Sequence, residues 1–167
     1  MRILGVTVQQ DLSVGSHVDE VLGAYAGSLY ALRVLRANTL PPAAMHAVTE
    51  ATTVARLLYG APAWWGFTSA ADRQRLERLL TKTQRMGYLS AGATSIATRV
   101  GLAEDRLLQA VVWNDSHVLR GLFPPKNSRR PGLRARMHNF DFPCKDDKNF
   151  VSRVLYKHIN RVSKANN

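Results

Sequence analysis

The chain has 167 residues, 46% of them hydrophobic and 21% charged, proportions that suit one ordinary domain with a real core, or a domain plus a tail, and exclude wholesale disorder. Its 23 Lys and Arg against 12 Asp and Glu give a formal charge of +11. Such an excess favours a polyanionic partner, above all nucleic acid, because each neutralised phosphate releases condensed counterions. The longest apolar runs, Ala61 to Trp65 and Ala110 to Trp113, are far short of the about 20 residues of a membrane span. Met1 is not followed by an apolar signal core, and the lone Cys144 allows no internal disulfide or Cys-pair zinc site. A soluble protein of the nucleus or cytoplasm is expected.

Residues 1–15 begin with weak alternation through Ile3, Val6 and Val8, broken by Gly5, which reads as a short strand or hairpin arm with a close backbone approach at the glycine. From Ser16 the period changes. Val18, Val21, Leu22, Tyr25, Leu29, Leu32 and Leu35 form the stripe of a helix running to about Ala37, with Ser16-x-x-Asp19 as its start signal and Asn38 as its stop. Pro41-Pro42 opens a second helix with a narrower stripe, Met45, Val48, Thr52, Ala55 and Leu58, ending at Tyr59-Gly60. Trp64 and Trp65 follow in a turn, where a packing anchor is a better reading than a base-stacking platform.

Ser69 and Asp72 cap a third helix with Leu76, Leu79, Leu80 and Thr83 facing inward. Further helices are predicted over about Ile96–Val100, Leu102–Trp113 and Ser116–Leu122, before the pattern stops at Phe123-Pro124-Pro125. Residues 1–100 hold 10 basic and 6 acidic side chains and residues 101–167 hold 13 and 6, so the charge rises toward the end. The expected architecture is mainly α: a helical bundle over 16–123, a short N-terminal strand over 1–15, and a basic, loosely ordered segment over 124–167.

The search for chemistry turns up little. Five histidines, at 17, 46, 117, 138 and 158, have no zinc-ligand spacing, and Asp146-Asp147, between Lys145 and Lys148, reads as a solvated turn rather than a polymerase metal pair. Cys144 has no local base to activate it. No cofactor, metal or small-molecule substrate is expected. The basic features carry more: Arg73, Arg75, Arg78, Lys82 and Arg85 on the third helix, and Lys126, Arg129, Arg130, Arg134 and Arg136 in a stretch without an acid. Either set could grip phosphates or simply be a solvated surface.

Several segments, in order, resemble reverse transcriptases of non-LTR retrotransposons of the jockey type. Ile3-Leu4-Gly5-Val6-Thr7 with Ser28-Leu29-Tyr30-Ala31-Leu32-Arg33 is similar to the stretch after the palm motifs. Tyr59-Gly60-Ala61-Pro62-Ala63-Trp64-Trp65 resembles the family's Tyr-Gly/Ala-x-Pro-x-Trp turn, and Ala70 to Glu77 its next helix. Leu133 to Phe140, Asp147 to Phe150 and Arg153 to Lys157 resemble its C-terminal segments. The resemblance implies a primer-grip-like strand at Leu4, Gly5 and Val6, and a thumb whose cations track an RNA–DNA duplex by its backbone. It also implies that the endonuclease, fingers and catalytic palm would precede Met1, so the expectation is a polymerase fragment that is not an enzyme on its own. The competing expectation is a co-opted or decayed structural or interaction protein with no nucleic-acid role.

Overall fold

The computed structural model describes residues 1–126 and 138–157. Among the described residues the protein is mainly helical, with one two-stranded sheet at the N-terminus. It divides into two compact units, Met1–Val100 and Gly101 onward. The division falls inside a helix rather than at Phe123-Pro124-Pro125, where the composition changes.

In the first unit, β1 (Arg2–Ile3) pairs antiparallel with β2 (Val6–Thr7), Arg2 opposite Thr7 and Ile3 opposite Val6. The N-terminal strand therefore brings its own partner. Leu4 and Gly5 form the connecting turn with φ of 46° and 86°, and a two-residue hairpin turn of this hand needs positive φ at both positions. Glycine takes it without strain; Leu4 does not, and it stands 86% exposed. The close approach foreseen at Gly5 is to Tyr59, whose ring would lie 3.4 Å from an added Cβ and whose hydroxyl donates to the Leu4 carbonyl at 3.1 Å.

Helix α1 (Gly15–Ala37) buries Val18, Val21, Tyr25, Leu29 and Leu32, the stripe read from the sequence. Its start differs. The Ser16 hydroxyl accepts from Gln9 and Asp19 pairs with Arg75, so Ser16-x-x-Asp19 is not a capping pair; the buried Val14 precedes the helix instead. Asn38 ends the helix as expected, followed by Thr39 at φ 60°, with Leu40 N donating to Leu35 O and Thr39 N to Arg36 O, a paired closure of the last turn.

The second helical rod is α2 (Pro42–Thr49), a π-helical turn (Glu50–Val54) and α3 (Ala55–Leu58). The Thr49 and Thr52 hydroxyls donate to the carbonyls of Met45 and Val48, competing with the amides that an α-helix would aim there. The wider turn changes which side chains face inward. Thr49, Thr53, Val54 and Leu57 are buried where Thr52 and Ala55 were expected. Gly60 then adopts φ 61°, and α4 (Ala61–Trp64) with a 3₁₀ turn (Trp65–Phe67) drives both tryptophans into the core, Trp64 Nε1 donating to Tyr59 O at 2.9 Å.

Helix α5 (Ala70–Arg85) starts on the Ser69 hydroxyl, which accepts from Asp72 N, and buries Leu76, Leu79, Leu80 and Thr83 as the pattern requires. Gly87, at φ 75°, closes it with the bonds Gly87 N to Gln84 O and Tyr88 N to Thr83 O. It runs parallel to α1, which it meets at Asp19–Arg75, Tyr25–Thr83 and Arg36–Met86.

Helix α6 (Ile96–Trp113) is continuous where two segments were expected, so Gly101 is a helix-interior glycine. Residues 116–122 hold only a 3₁₀ turn, Arg120–Leu122. In the second unit Leu108 and Val111 pack with Phe123, Phe140, Val154 and Leu155, the last two from α7 (Phe150–Lys157). Glu104 and Asp105, both buried, face Arg153 at 2.6 Å and Lys157 at 2.7 Å, and an added Cβ on Gly101 would meet Lys157 Nζ at 3.1 Å. Residues 138–157 thus carry a helix and part of a core within a stretch whose composition suggests loose order. Among the described residues no helix is long and apolar enough to cross a membrane.

Candidate nucleic-acid interface

The five cations of α5 divide by geometry. Arg73 lies over the Trp65 ring at 5.0 Å and donates to the Trp65 carbonyl at 3.1 Å. Arg75 is held between Asp19 at 2.6 Å and Asp72 at 2.9 Å, and those hydrogen bonds raise its pKa above the ordinary guanidinium value. Both are committed to the fold. Arg78, Lys82 and Arg85 recur at steps of four and three on one exposed face and make no ion pair or side-chain hydrogen bond among the described residues.

These three line a shallow groove of about 400 Å³ together with Gln74, Glu77 and Thr81. Glu77 does not neutralise it by an ion pair, for its carboxylate accepts from Ile96 N at 3.0 Å. From Arg78 to Arg85 the helix rises about 10.5 Å, close to the axial rise of about three base pairs. The helix dipole favours Lys82 and Arg85 in the last turn, while Arg78 and Lys82, one turn apart, repel each other. An anion in the groove relieves that repulsion. Arg36 of α1 ends nearby, covering the Tyr88 ring at 4.7 Å and donating to Met86 O at 3.0 Å. Nothing in the sequence links Arg36 to α5, because their proximity depends on the parallel packing of the two helices.

Lys126 belongs to the second unit, bridged to Phe140 and 3.7 Å from Asp115. Arg129, Arg130, Arg134 and Arg136 lie outside the described residues. Leu4, Gly5 and Val6 form the hairpin tip and the start of β2, with the Leu4 carbonyl accepting from Tyr59, Gly5 against the Tyr59 ring and Val6 packed on the core. Trp64 and Trp65, buried edge to face at 6.1 Å, offer no open ring for a base. Asp146 and Asp147 stand in an exposed turn, where an Asp146 oxygen accepts from Lys148 N. Among the described residues no three His, Cys, Asp or Glu side chains are placed to hold a metal ion.

One histidine is unusual. His17 is 5% exposed, edge-on to Trp64 at 5.2 Å, and neither ring nitrogen has a hydrogen-bond partner. A buried polar group left this way costs about 1–3 kcal/mol. Burial lowers its pKa from the ordinary 6.5, with Glu20 opposing and Arg2 adding to the shift. No protein-family model, curated protein or solved structure matches the chain.

Replacing Arg78 and Lys82 together by Gln should leave folding stability within about 0.5 kcal/mol in chemical denaturation, whereas Arg73→Gln should lower it by about 1 kcal/mol. Equal losses in both variants would mean that the exposed row is structural. A depressed His17 pKa means that the unfolded chain binds the proton more readily, so the neutral imidazole contributes stability above pH 6.5 that is lost as the pH falls through that value. The melting temperature of the wild type should therefore fall more between pH 7.5 and 5.5 than that of His17→Phe; parallel falls would contradict the assignment.

Proposed function

We propose that this chain is the thumb-like part of an RNA-directed DNA polymerase of the non-LTR retrotransposon kind, a reverse-transcriptase segment that holds a primer–template duplex by its phosphates. In this reading the chain grips, and the polymerising chemistry belongs to other segments of the parent protein. The observation that carries the reading is the row Arg78, Lys82 and Arg85, three cations on one exposed helix face with no acidic partner among the described residues. The charge of +11 supplies a long-range attraction for any polyanion. The ordered resemblance from Leu4-Gly5-Val6 through Trp64-Trp65 to Arg153 supports the choice of polyanion.

A helix face of this kind touches backbone and carries no sequence information by itself, which suits a duplex recognised by shape. The stretch from Lys126 to Arg136 would enlarge the electrostatic footprint. The tryptophans, being buried, contribute rigidity to the base of α5 and do not stack on bases.

Affinity for a short RNA–DNA hybrid duplex, measured by fluorescence anisotropy from 50 to 200 mM salt, tests the proposal. Affinity should fall steeply with salt, and changing Arg78, Lys82 and Arg85 together to Gln should reduce the logarithmic slope by about 3, close to one for each phosphate that a cation neutralises in the wild type. No binding at 50 mM salt would leave the chain as a structural or interaction protein. Binding with an unchanged slope in the triple variant would remove α5 from the interface.

A further inference from the structure

His17, in the first turn of α1, is a base buried where nothing accommodates its charged form. Both ring nitrogens are shut off from solvent and have no hydrogen-bond partner among the described residues, and the ring lies edge-on to Trp64. Core positions of this kind are normally apolar, so water must reach this ring before it can hold a proton. The charged and titratable groups around it are Arg2 from β1, Glu20 one turn on in α1, and Arg56 and Tyr59 at the end of the second rod. On the α5 side, Asp19 and Asp72 are both held by Arg75. The Glu20 carboxylate accepts from the Thr7 hydroxyl at 2.8 Å, and Arg2 opposes a second positive charge. A protonated ring in this place would lack an acceptor and face a like charge.

The hairpin, α1 and α4 surround the ring, and they are not held equally. Helix α1 is tied into the core by Val18, Val21 and Tyr25, and α4 by Trp64, whose Nε1 donates to Tyr59 O. The hairpin is tied by much less. Val6 is its side chain packed on the core, and its remaining ties are exposed hydrogen bonds: Thr7 to Glu20, Tyr59 to the Leu4 carbonyl at 3.1 Å, and Gln9 to Ser16 at 2.7 Å. Its tip is strained as well, because Leu4 holds φ 46° without being a glycine. Segments with few buried contacts and solvent-exposed hydrogen bonds open locally at far lower free energy than a core does. Lifting the hairpin is thus the easiest route by which water reaches His17.

From this arrangement we infer that the N-terminal hairpin is an acid-released strap: over a neutral His17 it lies closed on α1, and protonation of His17 holds it open. The proton binds the open form, in which the ring is hydrated, and is excluded from the closed one, so a single group biases the equilibrium between them. Opening also relaxes Leu4 and carries Arg2 away from the new charge. The ring of the closed form binds a proton less readily than an exposed ring, so the closed form loses its advantage as the pH falls below 6.5. The device belongs to the hairpin side of the first unit and does not depend on the outward face of α5.

Hydrogen exchange of the whole chain, followed by NMR and corrected for the intrinsic pH dependence of exchange, tests the strap. Val8 N donates to Met1 O at 2.8 Å across the hairpin, so its protection reports hairpin opening. Between pH 7.5 and 5.5 that protection should fall about 10-fold, the change expected when opening exposes an imidazole of ordinary pKa 6.5. Leu80, in the core of α5, should stay better protected than Val8 at both pH values. His17→Phe, which keeps a ring against Trp64 and removes the titration, should abolish the fall. Thr7→Val, which removes an exposed tie and leaves His17 in place, should speed Val8 exchange at both pH values while preserving the ratio between them. Three results would overturn the inference: Val8 protection that does not change with pH, the same fall in His17→Phe, or Val8 exchange as slow as that of Leu80, which would mean that the hairpin opens only with the whole unit.

Discussion

Inside the first unit, the Tyr25 hydroxyl and the Thr83 hydroxyl meet at 2.9 Å in a buried hydrogen bond between α1 and α5. Thr83 also donates to the Leu79 carbonyl, so the tyrosine is the donor that completes the pair without leaving a buried oxygen unmet. Such a bond contributes about 1 kcal/mol net, less than the about 1.5–3 kcal/mol from burying each of Leu29, Leu32, Leu76 or Leu80. Its importance is registry. Apolar stripes can slide or rotate against each other at small cost, whereas a buried hydroxyl pair is satisfied in one alignment only. Asp19–Arg75 at one end and Arg36 on the Met86 carbonyl at the other fit that same alignment. With α5 fixed in rotation by Thr83, Arg78, Lys82 and Arg85 must face outward. The proposed interface is thus a consequence of how the core is registered.

The second unit uses charge where the first uses hydroxyls. Glu104 and Asp105 are buried beside Arg153 and Lys157, and Gly101 leaves room for Lys157 to reach its carbonyl at 2.7 Å. Removing one member of such a set strands the others, so the arrangement specifies how α7 docks more than it adds stability. It also explains why basic residues of the last third are not all available to a polyanion. Arg153 and Lys157 are engaged inside the fold, as Arg73 and Arg75 are in the first unit.

Much of the helical skeleton was legible because it follows from spacing and capping. The stripe from Val18 to Leu32, the Ser69–Asp72 cap and the inward Leu76, Leu79, Leu80 and Thr83 all stand as read. What escaped depended on encounters between distant residues. Ser16 and Asp19 look like a cap until Gln9 and Arg75 claim them. Gly101 looks like a break until Lys157 gives the bare backbone a use. Ideal periodicity carries no signal for the threonine hydroxyls that compete for the backbone at Glu50–Val54, where Thr53 and Val54 are buried in place of Thr52 and Ala55. Among the candidate site residues, residue type alone could not separate Arg73 and Arg75 from Arg78, Lys82 and Arg85, because the distinction lies in whether an aromatic ring or a carboxylate is near.

The proposed role of α5 is that its rotation about its own axis turns a phosphate-binding face to solvent. Amide chemical-shift mapping of the isotopically labelled chain on titration with an RNA–DNA hybrid duplex tests it. The largest changes should cluster on Gln74, Arg78, Lys82 and Arg85, with the buried face at Leu76, Leu79 and Thr83 little moved. Changes centred elsewhere in the first unit, or none at low salt, would contradict it.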